Sequence, residues 1–363
     1  MLNAANTNTV NSTMAYTQAA YSHALSFSAQ THYLLPSDKT IVAHWQPAIL
    51  LNLMCNSLAN EEAIALSNKL LKGTRLFYSD FNKINLFISP EQFQRFIVNC
   101  NATPNQSDLA FRFGQRLLPG HYGDFSHGLN QVNSVFAAAE LIQKCAHVFS
   151  PLLTPKVNVY ATELTISFYS SYGCANSHRF VCEAFIFAIK NWLEQQLGRH
   201  LPWQFEFNYT APEAIENYEV YLGDNLKFNR PVTAIRLPIE YAHSSWQVSE
   251  IFTLPCAATP VSLLNLVRQL LRNNIQANPS LEWLAQQLDI SPATLKRRLK
   301  ACNTQFRDLL SEIRLEVAVE LYQQQHFSSD AICQYLGFYD ESNLRRFFKR
   351  TTGQTHTQYL ALT

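Results

Sequence analysis

Charge of one sign, metal-ligand spacing and catalytic signatures are what this 363-residue chain has least of. Its 28 Lys and Arg stand against 27 Asp and Glu, a formal net charge of +1. Overall charge therefore gives no argument for a nucleic-acid partner, and only the placement of basic residues can. Charged residues make up 15% and hydrophobic residues 47%, which excludes a disordered or strongly charged class. The eight cysteines (Cys55, Cys100, Cys145, Cys174, Cys182, Cys256, Cys302, Cys333) stand singly with no C-x-x-C pair, which argues for a reducing, cytoplasmic setting. The 11 histidines form neither H-E-x-x-H nor a Cys/His cluster, so no metal site is expected. There is no G-x-S-x-G, phosphate-binding loop or dinucleotide fingerprint, and neither a catalytic residue nor a cofactor is assigned.

Long apolar runs are missing as well. Residues 41–58 are interrupted by His44, Gln46 and Pro47, and residues 180–193 by Glu183 and Lys190, so no membrane segment is expected. The first charged side chain is Asp38. The Asn/Thr/Ser/Ala-rich opening has neither the basic nor the apolar region of a signal peptide, and residues 1–30 are expected to form a flexible tail.

What is present is a change of periodicity along a chain long enough for two or three domains. Between residues 47 and 149 the apolar spacing is helical, as in Leu50, Leu51, Met54 and Leu58. It switches to period two in Val157, Val159 and Ala161 and in Leu164, Ile166 and Phe168, predicting two strands about a turn at Thr162 and Glu163. A long amphipathic helix over 179–197, closed by Gly198, comes next, followed by strands at 203–209, 226–228 and 233–237. The fold class expected is an α+β domain, helices with a small and mostly antiparallel sheet, over 31–240. Fading periodicity marks 241–259 as a linker, and an all-α domain with two helix-turn-helix units fills 260–363.

Those two units show as an internal repeat. Leu284, Ala285, Leu288 and Ile290 match Ile332, Cys333, Leu336 and Phe338 at an offset of 48; after one inserted residue, Leu295, Arg297, Leu299 and Lys300 match Leu344, Arg346, Phe348 and Lys349 at 49. Ser280, Ser291 and Ser329 are capping residues, and Pro292 suits a first helical position. Asp289 and Gly337 suit left-handed turns, and Asn303 and Gly353 left-handed helix ends. With Leu295, Leu299, Leu344, Phe347 and Phe348 inward, the residues expected outward and toward DNA are Ala293, Lys296, Arg297 and Lys300 in the first unit. In the second they are Glu341, Ser342, Arg345, Arg346 and Lys349. Arginine bonds guanine in bidentate fashion and lysine reaches bases or phosphates, the chemistry of the major groove of double-stranded DNA. Four basic residues fall within 296–300 and four within 345–350, so positive charge is concentrated where a reading helix needs it. A helix over 306–324, burying Leu309, Leu310, Ile313, Val317 and Leu321, is expected to hold the units apart.

The run Ser291-Pro292-Ala293-Thr294-Leu295-Lys296-Arg297-Arg298-Leu299-Lys300, with Phe306, Ala331-Ile332, Leu336-Gly337-Phe338, Leu344, Phe347-Phe348-Lys349-Arg350 and Gly353, resembles the AraC/XylS family of transcription regulators. Departures are Asn303 in place of glycine, Cys333 in place of alanine and His356 in place of proline. The segment Leu109-Ala110-Phe111-Arg112-Phe113-Gly114, residues 123–139 and residues 205–212 resemble the long arabinose-binding-like N-terminal domain of one branch of that family. The resemblance implies an activator of transcription that contacts RNA polymerase and is controlled by a small-molecule effector, with a homodimer through the N-terminal domain as a further expectation. No effector-binding residue is assigned, because aromatics such as Tyr160, Phe168, Tyr169, Phe205, Phe207 and Tyr209 more often pack a core than line a site. Two rivals remain: an N-terminal domain that only dimerises or contacts a partner protein, and a DNA-repair methyl acceptor, which needs an activated cysteine. Pro255-Cys256, the one Pro-Cys pair, has no basic neighbour.

Overall fold

The computed structural model describes residues 33–362 except 84, 105, 175, 248–260 and 326. The expected tail at 1–30, most of the expected linker and Cys256 lie outside the described residues. Strand β1 (Tyr33–Leu34) is followed by β2 (Ile41–Val42), helices α1 (Gln46–Cys55) and α2 (Asn60–Leu70), and β3 (Phe87–Ile88). Helices α3 (Pro90–Asn101), α4 (Leu109–Gly114), α5 (Asp124–Leu129), α6 (Val135–Lys144) and α7 (Ala146–Phe149) complete a helical layer. Then come β4 (Leu153–Val159), β5 (Glu163–Ser170), α8 (His178–Leu197), β6 (Gln204–Glu206), α9 (Ile215–Leu222), β7 (Leu226–Lys227), β8 (Thr233–Pro238) and α10 (Ile239–Ala242).

The sheet runs β4-β5-β8-β6-β7, antiparallel throughout except for the parallel pair β6 and β7. Register places Leu164 opposite Leu237 and Ile166 opposite Ile235. Alternation then puts these side chains, with Phe168, Phe205 and Phe207, on one fully buried face against α8. In the strand expected at 203–209, Trp203, Phe205 and Phe207 are buried and Tyr209 is partly buried.

Helix α8 departs from the expected amphipathic pattern. Residues 180–189 are buried without a break, Glu183 included, because the sheet covers one side and the helical layer the other. Gly114 explains how closely that layer approaches: a Cβ there would lie 2.3 Å from the carbonyl oxygen of Ala184 on α8. Gly198 ends the helix in the left-handed conformation, at φ 63°.

Two expected domain limits differ in the structure. The chain stays on the first domain through Trp246, beyond residue 240: Trp246 N donates to the Asn133 carbonyl at 2.9 Å and its ring meets Trp192 at 5.9 Å. Sequence periodicity could not show this, because the segment is held by single contacts rather than by a repeating face. At the other end, β1 pairs in parallel with β9 (Val261–Ser262), and Tyr33 and Leu35 pack on the second core. Leu34 between them packs on the first core, so the start of the described chain bridges the two domains.

That domain is helical: α11 (Leu263–Asn273), α12 (Leu281–Gln287), α13 (Pro292–Ala301), α14 (Phe306–Gln325), α15 (Ser329–Leu336), α16 (Glu341–Thr352) and α17 (His356–Leu362). Helix α14 is buried on more than the expected stripe, since Leu315 and Val319 are only 6% and 8% exposed. They face the polar side of the sheet, where Asn265 Nδ2 donates to Thr154 Oγ1 at 2.5 Å and Arg268 lies over the Tyr169 ring at 5.2 Å. Among the described residues no helix is long and apolar enough to cross a membrane.

Candidate nucleic-acid interface

Each unit is built from a capped helix, a left-handed turn and a second capped helix. In the first, Ser280 Oγ accepts from Trp283 N at 3.1 Å, opening α12, and Ser291 Oγ accepts from Thr294 N at 3.1 Å, opening α13 with Pro292 in its first turn. In the second, the cap of α15 is Ser328 rather than the expected Ser329, accepting from Ala331 N at 3.3 Å. Asp340 Oδ1 accepts from Asn343 N at 2.7 Å and opens α16. Each such cap contributes about 1 kcal/mol.

The two turns close with equivalent bonds, Ile290 N to the Ala285 carbonyl at 3.1 Å and Phe338 N to the Cys333 carbonyl at 2.9 Å, which reproduces the 48-residue offset in hydrogen bonding. Asp289 (φ 51°), Asn303 (φ 54°), Gly337 (φ 71°) and Gly353 (φ 78°) all adopt the left-handed conformation expected of them.

Leu295, Leu299, Leu344 and Phe348 have no exposed surface and Phe347 only 4%. Ala293, Lys296, Arg297 and Lys300 are exposed on the other face of α13, and Ser342, Arg345, Arg346 and Lys349 on that of α16. Glu341 is half-buried instead: its carboxylate meets Arg345 at 3.6 Å and His356 Nε2 at 3.3 Å. It ties the first turn of α16 to α17 and holds Arg345. Arg346 Nη2 donates to Asn343 Oδ1 at 2.9 Å, within its own helix. Arg298 lies over the Tyr33 ring at 5.3 Å, so this member of the basic run serves β1.

Tyr339 was not among the expected site residues. It is 94% exposed at the mouth of α16. The signal was present, since Tyr339 sits between Phe338, the last match at offset 48, and Asp340, which caps α16 as Ser291 caps α13 at 49; it is the inserted residue.

His356 is 2% exposed, with Nε2 against Ser329 Oγ at 3.2 Å and its ring 6.2 Å from Phe348. In place of the family's proline the site is filled and bonded. Burial holds the imidazole below its usual range, with Arg345 adding to that and Glu341 opposing it.

Helix α14 joins the units. Its 20 residues make it about 30 Å long at ~1.5 Å per residue, close to the ~34 Å of one DNA turn. Arg268 and Arg272 of α11 clamp it through Glu312 (2.5 Å), Glu316 (3.6 and 4.0 Å) and Glu320. Among the described residues no group of three or more His, Cys, Asp or Glu side chains could hold a metal ion. The described cysteines are buried and burial pushes their thiols up, Cys145 to about 11 and Cys174 and Cys302 to about 12. An activated nucleophile is shifted the other way.

A family model described as the arabinose-binding domain of AraC transcription regulator, N-terminal, matches residues 67–245, and a helix-turn-helix domain model matches 284–361. Together they cover well over half of the chain. Over 164 residues the chain is 27% identical to the ornithine utilization regulator of Pseudomonas aeruginosa, covering 42% of this chain and 48% of that one. Over 170 residues it is 29% identical to the transcriptional regulator VirS of Mycobacterium tuberculosis, covering 43% and 49%. The chain thus spans about half the length of these curated relatives. Among solved structures, the transcriptional regulator CdpR from Pseudomonas aeruginosa gives a TM-score of 0.34 at 19% identity, over 74% of this chain and 90% of that one.

Proposed function

Because this chain belongs to the AraC family of transcription regulators, we propose that it is a cytoplasmic, sequence-specific regulator that reads double-stranded DNA with α13 and α16. The observation that carries this reading is the pair of helices, each fully buried on one side and basic and exposed on the other, joined by a helix about one DNA turn long. Lys296, Arg297, Lys300, Arg345, Arg346 and Lys349 reach bases and phosphates, Ala293 and Ser342 allow close approach, and Glu341 positions Arg345. The first domain takes a small-molecule effector, the protein acts as an activator in contact with RNA polymerase, and two copies pair through the first domain. Genome-wide mapping of bound DNA followed by gel-shift on the enriched sequence tests this. Failure to enrich any sequence over random DNA would reject it.

The rival in which the first domain only pairs or docks a partner is separated by thermal unfolding of the full chain against sugars, amino acids and fatty acids. An effector raises the melting temperature by mass action, and a silent panel favours the rival. A methyl-acceptor role at the described cysteines is opposed by their raised thiols, while Cys256 lies outside the described residues.

A further inference from the structure

The interior of the first domain leaves little room for an effector. Phe111, Phe207, Tyr218 and Phe228 fill it ring against ring, with centroids between 5.2 and 5.6 Å apart. Space opens instead where the two domains meet, as a cleft of about 480 Å³, inside the ~300–1,000 Å³ range of small-molecule sites. Its walls come from three bodies: the sheet domain through Tyr169 and Asn229, helices α11 and α14 through Arg268 and Glu312, and the ends of the two reading helices through Asn303 and Thr352. Asn229 adopts the left-handed conformation, at φ 58°, which asparagine tolerates.

Arg268 supplies the recognition chemistry. The Tyr169 ring fixes the plane of its guanidinium at 5.2 Å, and Nη2 donates to Glu312 Oε2 at 2.5 Å. Its Nε is buried without a hydrogen-bond acceptor, and its Nη1 faces Glu316 Oε1 at 3.6 Å, beyond hydrogen-bond distance. Buried donors left unpaired on a charged group are costly, and a carboxylate is the acceptor that suits a guanidinium. Glu312, with 47% of its side chain exposed at the rim, can take an ammonium. The lining thus carries Arg230 and Arg268 together with Glu312 and Glu316, charges of both signs that complement a molecule with both charges a short distance apart.

The same wall carries a close approach between the domains. A Cβ on Gly173 would lie 1.6 Å from the carbonyl oxygen of Cys302, and Asn303 Nδ2 donates to the Gly173 carbonyl at 2.9 Å. A molecule seated here therefore touches the loop that rests on the end of α13.

We propose that this cleft binds an amino acid, its carboxylate on Arg268 and its ammonium on Glu312, and that the bound molecule fixes the first domain against the ends of both reading helices. This rests on the effector reading above. The test is thermal unfolding of the full chain with each of the twenty common amino acids, and with the primary amide of any that binds. It is run on the unaltered protein, on Arg268→Met and on Thr304→Tyr, which fills the cleft from the half-exposed Thr304 and serves if Arg268→Met does not fold. At least one amino acid should give a saturable rise in melting temperature and its amide none, and either variant should weaken binding about tenfold or more. No saturable shift with any of the twenty overturns the proposal. An amino acid that binds both variants as it binds the unaltered protein overturns the cleft and leaves effector control standing. A shift from a sugar or fatty acid alone overturns the ligand class and also leaves effector control standing, whereas silence across all three classes fails that reading itself.

Discussion

Replacing Arg297 with alanine isolates base reading from folding. Its side chain is exposed on α13, opposite Leu295 and Leu299, both of which are fully buried, and it forms no salt bridge among the described residues. Truncation removes no packing, so thermal stability should change by no more than about 0.5 kcal/mol. A bidentate arginine–guanine contact discriminates by about 1–3 kcal/mol, a loss of about 5- to 150-fold in operator affinity. Competition gel-shift at one fixed salt concentration reads this directly, on the mapped site and on the site with the contacted guanine replaced. The variant should lose discrimination at that position while the slope of affinity against salt stays nearly unchanged, since removal of a phosphate contact lowers the slope by about 1. Equal affinity and equal discrimination in variant and parent would refute a base-reading role. Arg346→Ala should fall in the same range, although it also releases Asn343 from its 2.9 Å bond.

Leu295→Asp places an unpaired carboxylate at a position with no exposed surface. A cost of about 3–5 kcal/mol should unfold the first unit, seen as lost helicity by circular dichroism, and a normally folded variant would place the helix face wrongly. His356 has a folded pKa below its usual 6.5, so its contribution to stability is present above pH 6.5 and is lost as pH falls through the lower folded value. Melting temperature should therefore drop on acidification below 6.5, and His356→Pro, at the first position of α17 where proline is tolerated, should remove that component; identical pH profiles would contradict it. Tyr339→Ala should weaken DNA binding without lowering the melting temperature, because the ring is 94% exposed and packs on little. A lower melting temperature with unchanged DNA affinity would make it a structural residue.

The second domain was legible in detail because each device that builds it is local. Capping serines, a proline in the first turn, residues that tolerate positive φ and a 3.6-residue apolar stripe are all carried within a few residues of where they act, and Asp289, Asn303, Gly337 and Gly353 adopt the expected conformation. What sequence could not show depends on contacts between distant segments. Leu315 and Val319 lie off the apolar stripe of α14 and are buried where it meets the sheet domain. The pairing of β1 with β9 joins residues more than 200 apart. Residues 180–189 read as amphipathic because Glu183 and Lys190 break the run, yet Glu183 is buried, bonded to Arg179 and Tyr218. Periodicity reports one partner surface and is blind to a second.

The claim at the centre is that two units read one stretch of DNA together. Dimethyl sulfate interference on the mapped operator tests it most directly, because methylation of guanine N7 blocks arginine in the major groove. Two interfering clusters on one face of the duplex, about 10 base pairs apart, are expected. Arg297→Ala should erase one cluster and Arg346→Ala the other. A single cluster, or two that respond together to either variant, would contradict reading by two separate units.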